Sequence, residues 1–191
     1  GGVDSRIRPT VLQRLQEEEM LQSPTNPQGI VPDEGAGFLV LEKAEEAERR
    51  GVIPQALVLA AALADEPTAG SEEVNQALGL TTALRQAITE AGGLQAPPLV
   101  ICDLNGDRYR ALEWTFAAMR TIGQLQGEVP LWHPADCIGD TGAASGLINL
   151  LWASEALAKG YARADRALIW GASENCKRAA AILAPCPPSQ G

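Results

Sequence analysis

The sequence predicts an α/β protein in which a mixed sheet is flanked by helices in layers. From residue 55 onward, short apolar runs alternate with segments whose apolar residues recur at helical spacing, in the order strand, helix, strand, helix, strand, helix, strand, strand. The last two strands have no helix between them, which implies a hairpin and so a sheet with antiparallel as well as parallel pairs. The 19 Gly and 13 Pro stand mostly between the periodic segments, as expected where many short turns join the elements.

Taken in order, residues 9–21 place Val11, Leu12, Leu15, Met20 and Leu21 at helical spacing with Glu17, Glu18 and Glu19 turned outward, a short amphipathic helix. Residues 23–29 (SPTNPQG) break it, and residues 36–41 (AGFLVL) predict a buried strand followed by a helix over 42–50 (EKAEEAERR). The apolar run 56–64 suits helix or strand by periodicity; its shortness and the preceding Pro54 favour strand. Ser71, with Glu72 and Glu73, predicts a helix start that continues through Val74, Ala77, Leu78, Leu84, Ala87 and Ile88 until Gly92 and Gly93 stop it.

Pro97 and Pro98 introduce a fully apolar strand over residues 99–102. The next helix spans 109–122, with Leu112, Phe116, Met119 and Ile122 on its apolar face, and residues 129–133 form a candidate strand. Asp140 or Thr141 opens another helix, whose small residues Gly142, Ala143, Ala144, Ser145 and Gly146 allow close packing before residues 147–157 widen the apolar face. Strands over 167–171 and 179–183 close the fold, and the tail 185–191 (PCPPSQG) is expected to be disordered.

Charge narrows the function classes. A net charge of −9 and a pI near 4.6 would repel every phosphate of a nucleic acid, so that class is set aside. Docking an acidic protein partner would likewise need a local basic patch. The adjacent basic pairs, Arg49 with Arg50 and Lys177 with Arg178, read as solvated surface charges. No apolar run reaches the length of a membrane span and no signal pattern opens the chain, so a cytoplasmic location is the default. Cys102, Cys137, Cys176 and Cys186 lack CxxC spacing and read as free thiols. The opening Gly1-Gly2-Val3-Asp4-Ser5 has no initiator Met and looks internal, which suggests a fragment; a Gly-Gly scar left by tag removal accounts for it equally.

Three segments together resemble the β-ketoacyl-acyl-carrier-protein synthases. Residues 30–42 (IVPDEGAGFLVLE) are similar to the segment around the last strand of that family's N-terminal half. Gly1-Gly2-Val3-Asp4-Ser5 is similar to the stretch after the preceding strand, and Gly139-Asp140-Thr141-Gly142-Ala143-Ala144-Ser145-Gly146 resembles the family's Gly-His-Thr-x-Gly-Ala-Ala-Gly. The resemblance runs from residue 1 to about residue 183. It implies a thiolase-like layered fold comprising the C-terminal half plus the end of the N-terminal half: residues 1–53 ending the N-terminal half, 54–184 forming the C-terminal half, and 185–191 a tail.

The resemblance also locates the family's active-site positions, and there this sequence departs from it. The nucleophilic Cys of the family precedes the stretch with which this chain opens, and none of the four cysteines occupies its position. The second family histidine falls at Asp140. An ionised carboxylate cannot donate to a thioester oxyanion, and losing one such donor costs about 3 kcal/mol. An N-cap role suits Asp140 better. The loop of the first family histidine reads Cys102-Asp103-Leu104-Asn105-Gly106-Asp107, so Asp103 and Asn105 stand there; Asn105 is able to donate to an oxyanion, although Asn-Gly more often makes a turn. The family's glycine-rich oxyanion turn is replaced by Gly171-Ala172-Ser173-Glu174-Asn175-Cys176.

Three readings follow. The first is a non-catalytic ketosynthase-like half serving as scaffold, dimerisation or acyl-binding partner of the remaining half, in fatty-acid or polyketide metabolism, with homo-oligomerisation expected and no cofactor implied. The second is an active 3-oxoacyl synthase whose Cys lies upstream and in which Asp140, Asn105 or Asp103 take altered acid-base roles. The third is a metal-dependent hydrolase using His133, Cys137 and Asp140; Pro134 makes that stretch a loop, and His133 reads better as a strand-end histidine with a local hydrogen bond.

Overall fold

The computed structural model describes residues 1–187. Its main body is a five-stranded sheet ordered β3-β7-β6-β4-β5, built from β3 (Ala56–Asp65), β4 (Leu99–Cys102), β5 (Leu131–Trp132), β6 (Ala167–Ala172) and β7 (Lys177–Pro185). β4 runs parallel to both β5 and β6, whereas β7 lies antiparallel between β6 and β3. The sheet is mixed, as the closing hairpin predicts. The strands joined through helices, β4, β5 and β6, are the parallel ones.

Each face of this sheet has its own core. α3 (Leu78–Glu90) and α4 (Arg108–Thr121) cover one face, where Leu80, Leu84, Val100, Leu168, Trp170 and Ile182 pack together. α6 (Ser145–Ala158) covers the other, against Leu99, Ile101, Ile169 and Leu183. β4 is apolar at every position because it is buried on both faces. A separate two-stranded antiparallel sheet, β1 (Gly2–Ser5) with β2 (Glu34–Gly37), lies beside the 3-10 turn Gly142–Ala144 and α6, with α1 (Pro9–Glu17) between its strands. α2 (Ala44–Arg49) follows, and the short α5 (Ala135–Ile138) precedes Asp140. None of the described helices is long and apolar enough to cross a membrane.

Four expectations are corrected. The strand predicted over 36–41 ends at Gly37: β1 offers only four partners, and Phe38, Val40 and Leu41 are 70%, 93% and 76% exposed. The helix predicted from Ser71 begins at Leu78. Asn75 Oδ1 accepts the Ala77 N–H at 2.8 Å, and Ala77 takes a left-handed φ of 54°, which upstream helix cannot continue through. The apolar face of α4 is rotated from the expected one: Leu112 and Met119 are exposed while Glu113 and Ala117 turn inward. Trp114 stacks on Trp170 with centroids 5.4 Å apart, which fixes that rotation. Finally, Pro185 of the predicted tail is the last residue of β7, and residues 188–191 lie outside the described residues.

Candidate functional site

The site forms where β4 and β6 end side by side, because β4 runs into the loop before α4 and β6 runs into the turn before β7. Each loop brings a polar group to the same spot. Asp103, the first residue past β4, accepts hydrogen bonds on Oδ2 from the Ala172 N–H (2.8 Å) and Arg110 Nη1 (3.1 Å), tying the two loops together. Burial pushes the Asp103 carboxyl above its usual range, with Arg110 opposing that shift.

Asn105 closes the loop before α4. Its Oδ1 accepts the Asp107 N–H at 3.1 Å, the Asn-Gly turn expected from sequence, and Asp107 in turn caps α4 by accepting the Tyr109 N–H at 2.8 Å. Its Nδ2 donates to Asp140 Oδ2 at 3.0 Å. Gly106, at φ 99°, lets the loop pass under residues 28–29: a Cβ there would stand 2.4 Å from the Gln28 carbonyl oxygen.

Asp140 is clamped by its backbone and side chain together. Its N–H donates to the Val31 carbonyl (2.7 Å), and its own carbonyl accepts from the Asp33 N–H (3.0 Å). Oδ1 accepts the Gly142 N–H at 3.0 Å, an i to i+2 contact at the 3-10 turn; the helix expected to open at Asp140 or Thr141 begins only at Ser145, with Ala144 at its N-cap, so Asp140 braces the turn instead of capping α6. Oδ2 takes Asn105 and also lies 3.4 Å from Arg6 Nε. Arg6 stands just after β1 and reaches on to Glu174 Oε1 at 2.5 Å. Arg14, in the last turn of α1, donates to both oxygens of Glu174, at 3.0 and 3.3 Å. These hydrogen bonds, first that from Arg14, hold the Glu174 carboxyl down at about 2.

The turn that carries Glu174 uses its amides internally. Ala172 N–H goes to Asp103, Ser173 N–H to the Lys177 carbonyl at 2.9 Å, and Asn175 N–H to Ser173 Oγ at 3.1 Å. Arg178 braces the turn from below, with Nη1 donating to the carbonyls of Ser173, Asn175 and Lys177 and Nε to Glu113 Oε1 at 2.7 Å.

The structure thus bonds Asp103 to the 172–175 turn and Asn105 to Asp140, with Arg6 standing between Asp140 and Glu174, and it surrounds them with ionic groups that no local sequence pattern marks. Arg178, read as half of a surface pair, is 2% exposed, and its partner Glu113 is wholly buried. Burial first of all raises the Glu113 carboxyl, against the pull of Arg178. One sequence signal pointed there: Tyr109, Glu113 and Ala117 fall on one helix face at spacing four, so a buried Ala117 brings Glu113 in with it. The remaining basic pairs are neutralised at the surface, Arg49 by Glu46, Arg50 by Glu42 at 2.6 Å, and Lys177 by Asp65 at 2.7 Å.

His133 sits at the end of β5 with Nδ1 2.9 Å from Asp136 Oδ2, the local partner expected of it. Among the described residues no group of three His, Cys, Asp or Glu side chains is placed to hold a metal ion, which removes the support for a His133–Cys137–Asp140 centre. Cys102 is buried and its thiol is raised by desolvation; Cys137 is exposed, and all four cysteines are unpaired.

No protein-family model matches this chain, and neither does any curated protein. Solved structures do. The oxazolomycin ketosynthase domain of Streptomyces albus JA3453 superposes with a TM-score of 0.85 at 18% identity, covering 100% of this chain and 42% of that one. The ketosynthase of module 6 of the bacillaene synthase from Bacillus subtilis 168 gives 0.84 at 15% identity, over 98% of this chain and 41% of that one. A type II polyketide ketosynthase bound to a hexaketide, in complex with its acyl-carrier protein, gives 0.82 at 13% identity, over 97% and 55%. The chain therefore spans about half the length of the ketosynthases it matches. At these identities the likeness speaks for architecture, and the architecture is plain: this chain has the ketosynthase-like, thiolase-type α/β fold.

Proposed function

We propose that this chain is a non-catalytic, ketosynthase-like half that serves acyl metabolism of fatty-acid or polyketide type as a scaffold, dimerisation or acyl-binding partner. Residues 1–53 act as the end of an N-terminal half and residues 54–184 as the C-terminal half. The observation that carries this reading is the internal use of the candidate donors at the strand ends. An oxyanion needs donors aimed at empty space, and here the Ala172 and Ser173 amides and the Asn105 amide all donate within the protein. Asp140 and Glu174 bring carboxylates beside these donors, and the neighbouring cations Arg6 and Arg14 are already engaged by them. The reading with an upstream Cys gains nothing from this arrangement.

The partners that fit are the remaining half of the same fold, a second copy of the chain, and an acyl carrier protein, the last because a type II ketosynthase of this fold is seen with one. The described basic pairs offer little for an acidic carrier, since Arg49, Arg50 and Lys177 already have carboxylate partners.

The test is condensation itself. Incubated with acyl and malonyl thioesters of a carrier protein, the chain is expected to release no carbon dioxide above the protein-free rate, alone or together with the half it partners. Measurable release that disappears on Asn105→Ala would overturn the proposal.

A further inference from the structure

A cavity of about 210 Å³ opens beside the strand ends, smaller than the roughly 300–1,000 Å³ of sites for drug-sized ligands. Its walls differ in character. Leu15, Met20 and Ile30 make one side apolar, and Arg6, Arg14 and Arg110 line it with Glu174 among them.

Glu174 is held unlike the other carboxylates of the site. Asp103 and Asp140 each accept a backbone N–H, and Glu113 is sealed inside the fold. Glu174 rises from the short turn between β6 and β7, its side chain is 47% exposed, and its hydrogen bonds come from the guanidiniums of Arg6 and Arg14 alone. Two guanidiniums from separate elements converging on one carboxylate make the geometry by which proteins recognise carboxylates. Rotation of one side chain toward solvent would free both, beside an apolar wall. Arg6 Nε is buried and faces Asp140 at 3.4 Å, so Arg6 meets Glu174 through Nη1, the end of its guanidinium turned to the cavity side of the pair.

We propose that Arg6 and Arg14 form a binding site for a small monocarboxylic acid with a short apolar tail, and that Glu174 is its built-in competitor. The acid's carboxylate takes the place of the Glu174 carboxylate between the two guanidiniums, and its tail lies against Leu15, Met20 and Ile30. No bond is made or broken, and the site works whether or not the protein condenses acyl groups.

Sodium butyrate is the probe, titrated calorimetrically into the full chain at constant ionic strength, with butyramide as the uncharged control. Butyrate is expected to bind the wild type saturably and butyramide not to bind. Glu174→Gln should bind butyrate about tenfold more tightly, the gain expected if the competitor vacates the fork about a tenth of the time. Glu174→Ala, which removes the side chain, should show a gain of the same order, and adding Arg14→Gln to either variant should abolish binding; circular dichroism checks each fold. Absence of saturable binding to the wild type, no gain on loss of Glu174, retention of binding without Arg14, or equal binding of butyramide each overturns the proposal.

Discussion

Asp140 answers two chemical demands with one carboxylate: Oδ1 accepts the Gly142 N–H in the turn that leads to α6, and Oδ2 pairs with Arg6, both side chains being largely buried. A histidine could meet the first only poorly and the second not at all. Arg178 and Glu113 form a second ionic unit, wholly buried, and breaking such a pair by removing one partner costs about 3 to 5 kcal/mol because the survivor is stranded. Glu174 is the exposed counterpart, and its effect is readable in pH. Its carboxyl falls from an ordinary 4.5 to about 2 on folding, so its pairs stabilise the fold fully above the ordinary value, and the contribution fades as pH drops toward 2. Acid titration of unfolding should therefore show Glu174→Gln losing less stability than the wild type between about pH 5 and pH 2. Parallel curves would refute this. Solvent screening keeps the difference small.

The elements were largely legible because each was punctuated. Pro97 and Pro98 marked β4, Gly92 and Gly93 closed α3, and the absence of a helix between β6 and β7 gave away the hairpin. Legibility failed where a side chain competed with the periodic signal. Ser71, Glu72 and Glu73 look like a helix start, but the Asn75 carboxamide captures the Ala77 amide and moves the start to Leu78. Phe38 to Leu41 look like a strand, yet pairing is non-local and no window of sequence reveals that β1 supplies only four partners. The loop between β4 and α4 hides a further constraint: Gly106 passes beneath Gln28 and Gly29 at a φ open to glycine. Gly106→Ala should destabilise the protein by about 2 kcal/mol through backbone strain alone. Urea denaturation measures this, and an unchanged midpoint would count against the packing described.

For the whole molecule, the resemblance drawn from three short segments foretold the layered architecture, while the site's ionic content stayed hidden. Arg6, Arg14, Asp103, Asp140 and Glu174 are scattered from one end of the described chain to the other, and only the fold assembles them. The same view explains an odd helix. α6 is apolar around most of its circumference, as helices inside multilayered folds are, although Trp152 on it is partly open to solvent. With Phe38, Val40 and Leu41 exposed next to the end of β2, which packs on α6, the surface favours association. Light scattering should give an apparent mass that rises with concentration and that falls toward the monomer on Phe38→Ser with Val40→Lys. A constant monomer mass would remove this expectation.

The Glu174 contacts also set an order of events. Arg6 and Glu174 are 168 positions apart and Arg14 and Glu174 are 160, so a growing or refolding chain cannot join them until the β6 to β7 turn exists. Closing so long a loop costs entropy that only a nearly finished sheet recovers. The clasp is therefore a tie between the two ends of the described chain, one that exists only in the assembled body and that no local segment could make by itself.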